Sequence, residues 1–104
     1  MLYGLSRHVT QGIFGGSAHI PGSVTHIGEN AFAYCEKLTD IVIKKGVTAI
    51  DDRAFAECDA LTSIYLPAGV TSIGESAFYS CGDLSYVSIP DGVISIGDYA
   101  LYEC

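Results

Sequence analysis

Residues 67–89 read PAGVTSIGESAFYSCGDLSYVSI, and the 23 residues before them, 44–66, read KKGVTAIDDRAFAECDALTSIYL. Laid one above the other, the two strings share Gly-Val-Thr-x-Ile, then Ala-Phe, then Cys, then Leu. Residues 21–43 and 90–104 extend the same alignment on either side. Cys35, Cys58, Cys81 and Cys104 fall in one register, as do Phe32, Phe55, Phe78 and Leu101, and Ala31, Ala54, Ala77 and Ala100. Ile27, Ile50, Ile73 and Ile96 form another such set, and Val24, Val47, Val70 and Val93 a fifth. A fixed period in the range of roughly 20–29 residues, with apolar positions held in step, specifies a solenoid rather than a globule with a centre.

Within each unit two extended pieces are legible. Ile41/Ile43, Ile64/Leu66 and Val87/Ile89 alternate with polar residues as strands require, with β-branched side chains prominent. Stacked at the ~4.8 Å spacing of paired strands, these segments make a narrow parallel sheet. The Val24 and Ile27 positions and their counterparts mark a second short extended segment after a Pro/Gly bend. Between Ile27 and Cys35 the spacing changes: Phe32 and Cys35 lie three apart, Ala31 and Cys35 four apart, with Glu29 leading. That spacing predicts a one-turn helix, α or 3₁₀, in every repeat. The expected class is therefore α/β, a right-handed solenoid with repeats 21–43, 44–66, 67–89 and a partial 90–104. Residues 1–19 fit the pattern poorly and are set apart as an atypical N-terminal segment or partial cap; residues 20–104 are assigned to the solenoid.

The run Ile-Gly-x-x-Ala-Phe-x-x-Cys-x-x-Leu-x-x-Ile stands intact at 73–87 apart from Val87, and nearly so at 27–41. It resembles the BspA-like (Treponema pallidum-type) leucine-rich repeats over about four fifths of the chain. The departures are Asp51 for the usual glycine, Lys44 for the usual proline and Leu101 for phenylalanine. The resemblance implies a curved leucine-rich-repeat solenoid with its parallel sheet on the concave side. It also implies a place in surface or secreted proteins, where such repeats mediate adhesion and protein binding.

Composition narrows the function classes. Of 104 residues 49% are hydrophobic, which argues against disorder, and the net charge is −7. So acidic a chain cannot neutralise a phosphate track, and Lys44-Lys45 is its one basic pair; nucleic acid and anionic membrane surfaces are disfavoured as partners. No apolar run approaches the ~20 residues that span a bilayer. Met1–His8 does not read as a signal peptide, and Cys104 falls part-way through a repeat, which suits a piece of a longer exported chain.

The cysteines occupy a core slot beside Phe and Leu, so buried free thiols are expected. Parallel Cβ vectors suit a disulfide poorly, and a straight row ~5 Å apart cannot converge on one tetrahedral ion. Cys104 is the expected exception, a terminal thiol able to cross-link two chains. Glu29, Asp52, Glu75 and Asp98 share a register in which each carboxylate is expected to face the start of its own helical turn. That contact contributes ~0.3–1 kcal/mol, against ~0.8 kcal/mol of repulsion between neighbours, so the row needs no calcium to explain it. His8, His19 and His26 lack a nucleophile or acid at motif spacing, no catalytic residue or cofactor is indicated, and the chain does not read as an enzyme.

The outward positions of the main strands are the candidate ligand-binding residues: Asp40, Val42 and Lys44, then Ser63 and Tyr65, then Tyr86 and Ser88. Tyr65 and Tyr86, on adjacent strands in diagonal positions, are expected to form one aromatic patch. Tyr79, Tyr99 and Tyr102 are expected on or near the opposite, convex side, packing a neighbouring repeat or another subunit. The function indicated is non-enzymatic recognition of a protein ligand by a cell-surface or secreted protein. The alternative is a structural spacer that self-associates end to end through its last coil.

Overall fold

The computed structural model describes residues 16–104. Eight short strands follow one another: β1 (Ser17–Ile20), β2 (His26–Ile27), β3 (Asp40–Ile43), β4 (Ala49–Ile50), β5 (Ser63–Tyr65), β6 (Ser72–Ile73), β7 (Tyr86–Ser88) and β8 (Ser95–Ile96). The odd strands line one flank of the stack, as the parallel pairs β1-β3 and β5-β7. The even strands line another, as the parallel sheet β2-β4-β6-β8. Every pairing is offset by one period: Ile20 meets Ile43, Ile27 meets Ile50, Ile64 meets Val87. Strand β1 begins at Ser17, inside the segment that the sequence sets apart as 1–19; the remainder of that segment, His8 included, lies outside the described residues.

Register turns the apolar sets into columns. Phe32, Phe55 and Phe78 are buried and stack with centroids 5.3 Å apart and planes within 3° and 4°. Leu38 and Leu61, Val47 and Val70, and Ala54 and Ala77 are likewise closed to solvent. Hydroxyl columns fasten successive coils: Thr48 Oγ1 donates to Thr25 O, Thr71 Oγ1 to Thr48 O, and Ser85 Oγ to Thr62 O. Among the described residues, no buried side-chain nitrogen or oxygen lacks a hydrogen-bond partner. Gly74 and Gly97 are placed where coils touch, since a Cβ there would stand 2.5 Å from the backbone nitrogen of Asp52 or Glu75. Nothing in the structure explains why the matching position 51 is aspartate.

The predicted one-turn helix does not form, and the described fold is all-β rather than α/β. Residues 29–34, 52–57, 75–80 and 98–103 are successive turns. In each, two side-chain-bearing residues four apart take positive φ: Asn30 and Tyr34, Arg53 and Glu57, Ser76 and Ser80, Tyr99 and Glu103, all between 56° and 62°. A right-handed helix cannot contain them. Hydrogen bonds alternate. The N–H groups of Asn30, Phe32 and Tyr34 donate forward to Asp52, Ala54 and Ala56, while Ala31 and Ala33 close local turns onto Gly28 and Asn30. The same alternation recurs one and two coils later. The reason is spatial: a helix ≈10–12 Å across would hold successive coils apart on this side, whereas a flat ribbon of turns lets every second N–H reach a carbonyl of the next coil.

Candidate functional site

The β1-β3 and β5-β7 pairs present their odd-register side chains outward. The period sets Asp40, Ser63 and Tyr86 in one row and Val42, Tyr65 and Ser88 in the next, and the observed register agrees, with Ser63 opposite Tyr86 and Tyr65 opposite Ser88. Tyr65 and Tyr86 therefore lie diagonally, and their rings do meet, centroids 5.3 Å apart and tilted by 47°. They are 61% and 52% exposed, and Val42 is 43% exposed, so an aromatic and aliphatic patch stands open on the strands. Asp40 is oriented: its carboxylate accepts one bifurcated hydrogen bond from Ser17 Oγ, at 3.0 and 3.2 Å, and lies 3.0 Å from Thr39 Oγ1, whose proton it shares with Gly16 O at 2.9 Å. Lys44 is exposed, and its backbone N–H donates to Ile20 O at 3.2 Å, a bond that Pro67 and Pro90 cannot make. Ser63 and Ser88 are half-buried between these side chains.

Two residues join this face that sequence reasoning did not single out. Ser17 pairs with Asp40 and His19 with Val42, and both are exposed. The signal existed, because Ala18 and Ile20 stand one period before Ile41 and Ile43, but it lay in the segment judged atypical. His26 sits elsewhere, on β2, with its Nδ1 3.1 Å from Thr25 Oγ1.

The ribbon of turns carries Tyr79, Tyr99 and Tyr102, on a side separate from Tyr65 and Tyr86. Tyr79 and Tyr102 stack at 5.7 Å, and Tyr99 meets Tyr102 edge-on at 5.4 Å. The first contact packs neighbouring repeats and the second lies within the coil 90–104. Tyr34, which the sequence reading passed over, is 67% exposed on the same ribbon. Tyr34, Tyr79 and their neighbours line a groove of about 580 Å³.

Thiols and carboxylates have structural partners. Cys58, Cys81 and Cys104 each donate from Sγ to a carbonyl of the preceding coil, Phe32 O, Phe55 O and Phe78 O, at 3.0–3.1 Å. Burial pushes the Cys35 and Cys104 thiols above their ordinary value. The contact between Cys58 and Cys81 raises Cys58, with burial adding to it, and lowers Cys81. Cys104 is exposed as a residue even though its thiol reaches back to Phe78. In the acidic row, the assignment of each carboxylate to a helical turn of its own is corrected: there is no such helix, and Asp52 Oδ1 accepts the N–H of Glu75 in the following coil at 2.8 Å. Among the described residues, no three His, Cys, Asp or Glu side chains are placed to hold a metal ion.

With this geometry in hand, the sequence profile of the BspA type leucine rich repeat region matches residues 15–104. The chain is similar to a leucine-rich repeat protein of Treponema pallidum, with 37% identity and a TM-score of 0.84 over 86% of this chain and 42% of that one. A leucine-rich repeat protein of Bacteroides ovatus gives 31% identity and 0.81 over 85% of this chain and 22% of that one. A leucine-rich cell surface protein of Faecalibacterium prausnitzii gives 27% and 0.51 over 85% and 36%. The chain thus spans less than half the length of each of these proteins. No match was found among the curated proteins.

Proposed function

Since the chain belongs to the BspA-type leucine-rich-repeat family, we propose that it is a non-enzymatic protein-recognition module of a larger cell-surface or secreted adhesion protein. Its contact surface is the outward face of β3, β5 and β7, taken as the concave side of the solenoid. The carrying observation is the open Tyr65–Tyr86 pair, two rings in contact and more than half exposed on a hydrogen-bonded scaffold. Tyrosine supplies large contact area at low entropy cost, which is why it is enriched among interface anchors. Val42 extends the apolar centre, and the fixed carboxylate of Asp40 and the ammonium of Lys44 supply orienting charge at its rim. Surface location is supported by the likeness to the cell surface protein of F. prausnitzii.

The test is binding of the chain to a panel of immobilised extracellular proteins. The double variant Tyr65→Ala/Tyr86→Ala is expected to lose at least about tenfold in affinity for any member bound, with circular dichroism unchanged. Unchanged affinity removes the site from this face.

A second reading, a self-assembling spacer, rests on Ile94, an apolar side chain 86% exposed in the register where Thr25, Thr48 and Thr71 stand exposed in the earlier coils. Light scattering over a concentration range separates the readings: a recognition module stays monomeric, a spacer grows in mass.

A further inference from the structure

Away from the β3-β5-β7 face, the ribbon of turns carries a ladder of rings with a gap in it. One register on the ribbon runs Ala33, Ala56, Tyr79, Tyr102. The last two stack with centroids 5.7 Å apart and planes within 11° of parallel, so the column repeats at coil spacing. One coil earlier the column holds Ala56, a buried methyl where another ring would fit, and the backbone beneath is tied in register by Glu57 N–H to Tyr79 O. The gap forms one end of a groove of about 580 Å³ that continues past Tyr79 along Ser76, Tyr99 and Tyr102, within the ~300–1,000 Å³ range of ligand sites. Its floor is Ala56, one wall the face of Tyr79 turned away from Tyr102, and the far wall Tyr34. Asn30, Arg53, Glu57 and Glu75 surround the gap.

We propose that this groove is a carbohydrate-binding site, in which a neutral pyranose ring of an oligosaccharide takes the place left open in the ladder, stacked on Tyr79 above Ala56. The chemistry of the rim selects that class. Two carboxylates and a guanidinium lie around one aromatic wall, with an amide beside them. An apolar side chain of a protein partner would desolvate Glu57, Glu75 and Arg53 without giving them hydrogen bonds, which is costly. A sugar presents an apolar C–H face to the ring and hydroxyls at its edge, which both donate to carboxylates and accept from the guanidinium and the amide. An anionic ligand meets Glu57 and Glu75, and a cationic one meets Arg53, so a neutral ring leaves no like charges opposed. The site does not depend on the recognition face described above, and either can fail without the other.

The experiment uses the purified chain, which has seven tyrosines and no tryptophan, with tyrosine ring resonances as the reporter. Neutral hexasaccharides of glucose (β-1,4- and α-1,4-linked), xylose, mannose and N-acetylglucosamine are titrated into the millimolar range. At least one is expected to shift the Tyr79 and Tyr34 resonances saturably. Tyr79→Ala is expected to weaken that sugar by about tenfold, the size of a lost ring contact. Ala56→Tyr, which completes the ladder, is expected to abolish binding while Tyr65 and Tyr86 stay unshifted and amide dispersion is retained. If Ala56→Tyr fails to fold, Tyr79→Ala alone decides. The proposal is overturned if no sugar moves these resonances, if the folded Ala56→Tyr chain binds like the parent, or if N-acetyl-tyrosine amide saturates the groove where the sugars do not. The last outcome would make it a socket for a partner's aromatic side chain.

Discussion

At the scale of single residues, the most informative side chain is Phe55, closed to solvent and stacked on Phe32 and Phe78 from both sides. Phe55→Ala removes two ring contacts and opens a cavity in the middle of the stack, an expected loss of about 3–5 kcal/mol. For a stack this short that is a large part of a total on the order of 5–15 kcal/mol, so urea denaturation is expected to show a partly or wholly unfolded variant. Cys35 gives a second handle. Burial holds its folded-state value above that of a free thiol, so its contribution is full at pH below about 8.5, where even the unfolded chain keeps the proton. As pH rises further, the unfolded chain ionises first and stability falls. Melting temperature is therefore expected to decline above about pH 9, and less steeply in Cys35→Ala. An identical alkaline slope in both chains places the effect on other groups.

At the scale of elements, the ribbon of turns is where spacing and conformation part. Ala31, Phe32 and Cys35 are read correctly from the sequence as facing inward, and all three are buried. What the spacing does not carry is the conformation, because i, i+3 and i+4 contacts suit a helical turn and a pair of consecutive β-turns alike. The positive φ of Arg53 and Glu57 decides the matter, and neither residue type announces it. Glu57→Val puts a β-branched side chain at φ 57° and is expected to destabilise by about 1–2 kcal/mol, whereas Glu57→Gly stays within about 1 kcal/mol of the parent. A helix would respond differently, with glycine the more damaging of the two by intrinsic helix propensity. Thermal melts of both variants make the comparison.

At the scale of the whole molecule, each coil contacts only its neighbours, so stability adds coil by coil and interface by interface. The outcome is visible in the gradient of exposure: Ile27, Ile50 and Ile73 are buried, while Ile96, in the coil with nothing beyond it among the described residues, is half exposed. The same logic gives the molecule two long faces of different chemistry. Strand side chains form one, with Tyr65 and Tyr86 at its centre, and the turn ribbon forms the other, with the gap above Ala56.

The period by itself determined the solenoid, the columns of Phe, Ala, Cys and Leu, and the diagonal placement of Tyr65 and Tyr86, because residues one repeat apart must stack once identical coils pile in register. Only the tertiary structure decided what lies between columns. The ring contact at 5.3 Å, the carboxylate of Asp52 reaching Glu75 in the next coil, and turns in place of a helix are set by the neighbouring coil. That coil lies one strand spacing away, too near for a helix and near enough to take every second N–H of the ribbon. A single repeat, read alone, contains no record of that distance.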